Sequence, residues 1–318
     1  MNKKASRWIA RIALLAMAIL LPLVLVEACL RVFDPGHYAE FEAREEFSAR
    51  ILERRTSTVH LGASITKERS MLRLKRNVDT TFLGKRVVTD ARGMRTPPFE
   101  VPKPKGVYRI LVLGDSVPFG WGVGEEESFP RLLEKKLNAI GGRRYEVVNG
   151  GSPGWGLDDE WQWLQEEGLD LQPDVVVHCV IANDIEPVTP PPPLLLSPGL
   201  RKLWVLRFFE NLCVRMAGAQ VPDPNTAIND DQLCVGLDLM WHTCAVRQAR
   251  FVFLDTIAHE QAILHAKAKN YPRLDVFLSQ SWVNRHQVGA TDFHPNPAGH
   301  EHIAETVFLQ LRTVLLKF

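Results

Sequence analysis

The sequence predicts an α/β protein, a parallel sheet with helices on both faces, preceded by one N-terminal transmembrane helix. Three observations predict it. Strand-length apolar runs recur at Ile110–Leu113, Tyr145–Val148, Asp174–Val180 and Phe251–Asp255. Helical spacing fills the intervals, and such alternation implies right-handed βαβ crossovers onto a sheet buried on both sides. Ahead of them lies one apolar stretch of membrane-spanning length. The 318 residues, 46% apolar and 24% charged, can bury one large core or two modest ones. A net charge of +1 gives no footing for a nucleic-acid partner, and none is expected.

Taken in order, Lys3, Lys4, Arg7 and Arg11 precede the apolar run Ile12–Val26, interrupted only by Pro22. Residues 1–33 read as a cytoplasmic stub and a single-pass anchor. No small-x-small site follows the run cleanly, and Glu27 spoils the faint lipoprotein pattern Val26–Cys29, so an uncleaved anchor is the expectation. The basic flank then places the rest of the chain outside the cytoplasmic membrane, on the periplasmic side in a Gram-negative host. Residues 34–105 form a basic juxtamembrane and linker segment with short strands. Its arginines and lysines suit either a collar on anionic headgroups or a solvated surface. Val87–Arg95 reads as a short strand and glycine turn packed on the main domain, and Pro97, Pro98, Pro102 and Pro104 as a stiff linker.

The main domain occupies residues 106–318. Its first strand stops at Gly114-Asp115-Ser116, leaving a serine at the carboxyl edge where open α/β sheets bind ligands. Phe129, Leu132, Leu133 and Leu137 give a helix ended by Gly141-Gly142. The second strand closes in Asn149-Gly150-Gly151-Ser152-Pro153-Gly154, and a helix follows over Asp158–Glu167. The third strand ends in Ile181-Ala182-Asn183-Asp184. Pro187–Pro198, with four consecutive prolines, is an extended loop flanking the site or an inert surface. Further helices are expected at Leu203–Ala217, Asp231–Arg247, Gln261–Ala268, around Leu274–Leu278, and from Ala298 to Leu316. His300 and His302 read as helix-surface residues and His178 as a satisfied core histidine. Cys179, Cys213, Cys234 and Cys244 leave a disulfide open; no C-x-x-C or metal-type spacing occurs, and no metal is expected.

Several strand ends thus bring reactive groups to one edge. Ser116 is a weak nucleophile unless a base adjoins it. His294, in a polar, proline-stiffened loop before the last helix, is the candidate base, and Asp292 the acid that would hold its tautomer. The backbone amides of Ser116 and Gly154 and the side-chain amide of Asn183 would suit an oxyanion hole. Each also has a plainer role open to it: the serine as a helix cap, Asn149 and Asn183 as loop bridges.

On these residues the chain resembles the SGNH hydrolases of the GDSL lipase/esterase superfamily, in a subgroup with an N-terminal membrane anchor. Gly114-Asp115-Ser116 matches the first block, Asn149 to Gly154 the second, and Asn183-Asp184 the third, with Ile181 where that block has glycine. His294-Pro295-Asn296 and Gly299-His300 match the fourth, although the aspartate position holds Thr291 and the carboxylate comes one residue later, at Asp292. The resemblance implies a three-layer, flavodoxin-like SGNH hydrolase fold and a serine esterase. It implies catalytic Ser116, His294 and Asp292, oxyanion donors Ser116, Gly154 and Asn183, and no metal or organic cofactor. The substrate would be a small-molecule or glycan ester. Two alternatives stay open: an O-acyltransferase or deacetylase acting on an envelope polysaccharide, and a non-catalytic envelope protein of the same fold.

Overall fold

A computed structural model describes residues 3–33, 35–61, 65–181, 203–206, 230–276, 283, 285–288 and 292–316. The chain divides into two compact units, one of Met1–Glu42 with Thr189–Thr226, the other of Ala43–Val188 with Ala227–Phe318.

The first unit carries α1 (Lys3–Phe33) and the start of α2 (Pro35–Ile51). Arg11–Phe33 is long and apolar enough to cross a membrane, 23 residues of mean hydropathy 2.6 with 0% of the span buried. Near its end Glu27 accepts the Val205 amide at 2.8 Å, and the Trp204 indole donates to Glu42 at 2.8 Å. Leu203–Ala217, expected as a helix, is described only at 203–206, helical at 204–206.

The second unit contains a five-stranded sheet of β5 (Val107–Gly114), β6 (Arg144–Gly151), β7 (Val175–Val180), β8 (Arg250–Asp255) and β9 (Arg273–Asp275). The spatial order is β6-β5-β7-β8-β9, and every pairing is parallel. Counted within the sheet this is 2-1-3-4-5, the flavodoxin-like order, with the switch of direction beside its first strand. Alternate residues feed two cores, as the pleat requires. Leu111, Leu113, Val176, Phe251 and Phe253 face α5 (Leu157–Trp163), α6 (Asp230–Val246) and α7 (Glu260–Lys269). Ile110, Val112, Val177, Val252 and Leu254 face α4 (Phe129–Ala139) and α8 (Pro297–Leu316). In α4 the buried Phe129, Leu133 and Leu137 recur every fourth residue, the stripe that a helix lying on a sheet presents. Full burial of a leucine such as Leu133 contributes about 1.5–3 kcal/mol. The edge strand β6 is closed by that helix: Asn138 exchanges bonds with the Tyr145 backbone, and Glu134 accepts the Val147 amide at 2.7 Å.

Three sequence expectations change. Around Leu274–Leu278 the chain starts as strand β9, not helix. Leu274 is buried while its neighbours Arg273 and Asp275 are half-exposed and ion-paired, a period of two that suits a sheet edge. Residues 277 and 278 lie outside the described residues. His300 is fully buried, not a surface residue. Its Nδ1 accepts the Phe129 amide at 3.2 Å, one of the N–H groups that the start of α4 leaves without an intrahelical partner. The helix expected over Asp158–Glu167 is α-helical only to Trp163 and continues as a π-helical turn, Leu164–Gly168. Cys29 and Cys244 are free thiols.

Upstream, residues 43–61 and 65–95 belong to the same unit. The antiparallel pairs are β1 (Leu52–Leu61) with β2 (Ile65–Leu74) and β3 (Asp79–Phe82) with β4 (Lys85–Val88). The basic residues of this segment are not uniformly on the surface. Arg95 is buried, and the buried Arg73 is clamped by Glu166 and Glu167.

Candidate active site

The site stands at the carboxyl end of β5, beside the switch point. Gly114 is required there by space: a Cβ would lie 2.7 Å from Pro118 Cγ and 2.9 Å from the Cys179 carbonyl oxygen. The close approach lets the chain turn directly into α3 (Ser116–Phe119), whose first residue is Ser116.

The second half of the site comes from the start of α8. Asn296 accepts the Gly299 amide at 3.0 Å through its side chain and the His300 amide at 2.9 Å through its carbonyl, an N-cap followed by proline at the first helical position. Its own amide donates to the His286 carbonyl, and the Val288 amide donates to the His294 carbonyl at 2.8 Å. The loop bearing His294 is therefore tied on both sides.

These two pieces bring Ser116, His294 and Asp292 into one chain of contacts. Ser116 Oγ lies 2.9 Å from His294 Nε2, and His294 Nδ1 lies 2.6 Å from Asp292 Oδ1. The His294 backbone amide also donates to Oδ1, at 3.1 Å, and the Trp121 indole donates to Oδ2 at 3.0 Å. Burial alone would raise the Asp292 carboxyl; the hydrogen bonds and charge of His294, with the indole's bond, outweigh it and hold the group below the usual aspartate value. Asp292 is thus an ionised partner for the imidazole. The imidazole is nearly parallel to two aromatic rings, Trp121 with centroids 5.2 Å apart and the exposed Phe293 at 5.3 Å.

The remaining site residues fall differently. The Gly154 amide, an expected oxyanion donor, donates to Asp115 Oδ1 at 2.7 Å. Asn183 and the proline-rich loop lie outside the described residues. His178 is a core histidine, as its strand position suggested, and its partner is Glu160 on α5, 2.5 Å away. Both are fully buried. Burial pushes the Glu160 carboxyl well up, reinforced by Asp115 and Asp159, and pushes His178 down to about 3, so the pair is neutral. Sequence reasoning missed Trp121, although it sits in the conspicuous Gly120-Trp121-Gly122, and missed Glu160 altogether.

Residues 112–302 match the GDSL-like Lipase/Acylhydrolase family. No curated protein matches the chain at significant similarity. Similar solved structures include the lipase/acylhydrolase from Enterococcus faecalis, at 18% identity over 65% of this chain and 96% of that one, with a TM-score of 0.45. The psychrotrophic esterase EstA from Pseudoalteromonas sp. is 15% identical over 65% and 98%, with a TM-score of 0.46. A catalytic mutant of Axe2, an acetylxylan esterase from Geobacillus stearothermophilus, is 15% identical over 64% and 94%, with a TM-score of 0.43.

Proposed function

The chain belongs to the GDSL-like lipase/acylhydrolase family and is a hydrolase acting on ester bonds, and on that premise we propose that Ser116, His294 and Asp292 carry the reaction. The observation that supports this most directly is the unbroken run from Ser116 Oγ through both ring nitrogens of His294 to Asp292. Ser116 Oγ attacks the ester carbonyl while His294 Nε2 takes its proton. Asp292 holds the tautomer that leaves Nε2 free to do so and offsets the charge that forms on the ring. The tetrahedral intermediate collapses, the ester C–O bond breaks, and the departing alcohol receives the proton from His294. Water then repeats the sequence on the acyl-enzyme, returning Ser116 and releasing the acid.

The proposed oxyanion donors are the Ser116 and Gly154 amides and the Asn183 side chain. The Gly154 amide would turn from Asp115 to the oxyanion as charge develops, since in the resting site it is committed to that carboxylate. The substrate proposed is a small-molecule or glycan ester. The apolar span Arg11–Phe33 with its basic flank supports a single membrane anchor and a site outside the cytoplasm.

The test is Ser116→Ala in the full chain, assayed on short-chain nitrophenyl esters and with a fluorophosphonate probe. Turnover should fall by about 10⁶ and labelling should vanish. Undiminished hydrolysis by this variant would overturn the assignment. Adding sugar hydroxyls to the wild-type assay separates the alternatives: acyl transfer outrunning hydrolysis would make the enzyme a transferase with the same residues.

A further inference from the structure

Trp121 touches both members of the proposed Asp292–His294 pair. Its indole N–H donates to Asp292 Oδ2 at 3.0 Å, while Oδ1 serves the His294 ring, so the carboxylate's two oxygens are divided between two donors. A carboxylate held through one oxygen can still swing about its Cβ–Cγ bond; a second donor on the other oxygen fixes its plane. The indole also stacks on the imidazole, at 5.2 Å and 28°.

Trp121 is in turn held from behind by residues far upstream. Phe47, at the end of α2, lies with its ring centroid 5.0 Å from the indole, and Phe82, in β3, 4.7 Å from it. The turn that carries the indole is gripped by Arg95. That guanidinium donates to the carbonyls of Phe119 at 3.1 Å, Gly120 at 2.7 Å and Val123 at 2.7 Å. Gly120, at φ +84°, supplies the left-handed residue that turns the chain toward the site. Burial lowers Arg95 only to about 10, so it remains a cation at neutral pH. Phe47, Phe82 and Arg95 all precede residue 112, where the family match begins.

We propose that Trp121 is a positioning residue for the Asp292–His294 pair, and that Phe47, Phe82 and Arg95 brace it, which makes part of the segment ahead of the sheet a working part of the active site. The proposal rests on the reading of Ser116, His294 and Asp292 given above.

Trp121→Phe keeps one aromatic ring beside the imidazole and removes the indole N–H together with the fused ring that carries it. In detergent-solubilised full-length protein it should lower kcat about tenfold or more, the usual scale for a hydrogen bond to a charged group, with KM within about twofold. Loss of the donor raises the proton affinity of the carboxylate, so the acid-side limit of kcat/KM should move to higher pH. In an Asp292→Asn background the same substitution should cost nothing more, because there is no carboxylate left to hold. Wild-type turnover with an unmoved pH limit would overturn the proposal, as would the same loss in both backgrounds. A silent Asp292→Asn would instead overturn the underlying triad reading. Phe82→Leu and Arg95→Lys test the brace with the indole N–H retained. Each should lower kcat severalfold at constant KM and leave the pH limit unmoved; wild-type kcat in both would overturn that part.

Discussion

Among the described residues three histidine–carboxylate pairs are of almost the same length, His265–Asp238 at the surface and two that are opposites of each other. His294 and Asp292 are 2.6 Å apart at the site's edge, with side chains 8% and 14% exposed; His178 and Glu160 are 2.5 Å apart with both at 0%. Asp292 receives the imidazole and a backbone amide on one oxygen and the indole N–H on the other. Among the described residues, Glu160 Oε1 and His178 Nδ1 have no hydrogen-bond partner, and the first charged neighbour of Glu160 is another carboxylate, Asp115. Donors and accessibility, rather than separation, decide whether such a pair can become an ion pair during turnover. Asp292 is prepared to stay charged, and Glu160 to stay a neutral acid donating to a neutral ring.

That contrast can be broken most sharply by isosteric amides. Asp292→Asn should cost on the order of 10⁴ in turnover, since it removes the charge that fixes the tautomer of His294. Glu160→Gln retains a donor for His178 and should leave turnover within about threefold of wild type, measured on the same ester. Equal losses in the two variants would mean that the buried pair also takes part in the reaction.

A smaller effect should appear in stability. The Glu160 carboxyl titrates higher in the folded chain than in the unfolded one, so above its ordinary value near 4.5 the folded state holds a proton the unfolded state has released. Stability then falls with rising pH until Glu160 ionises in the fold, by at most about 1.4 kcal/mol per pH unit. His178 acts from the other side. Below its ordinary value of 6.5 the unfolded chain takes up a proton that the folded ring refuses until about 3, so stability falls as pH falls. Denaturant titrations should therefore show Glu160→Gln gaining on wild type as pH rises from 5 to 8, with the acid-side loss retained. Asp292 has the reverse sign to Glu160: its contribution is present above 3.8 and disappears as pH falls through its depressed folded value.

Much of the sheet was legible because β5, β7 and β8 are buried on both faces and read as continuous apolar runs. Ser116 and His294 could be picked out because their neighbours, a close-packed glycine on one side and a capping Asn-Pro on the other, have local signatures. What failed depended on partners distant in sequence. His300 is buried only because α4 begins against it, and Leu274 is a strand residue only because β8 lies alongside. The indole of Trp121 acquires its role from Asp292, 171 positions away, so no window around Gly120-Trp121-Gly122 could disclose it. The segment before the sheet read poorly for the same reason, since Phe47 and Phe82 make sense only once Trp121 is between them.

The capped entrance to α8 has a consequence in time. A chain grows from its amino terminus, so the proposed nucleophile Ser116 and the strands beneath it are made long before the loop that holds the proposed base. Until α8 has docked against α4 and Asn296 has closed its first turn, Ser116 has no proton acceptor beside it. On the proposed reading an unfinished chain would be chemically silent, and the appearance of reactivity toward a serine-directed probe would report that the last helix has arrived.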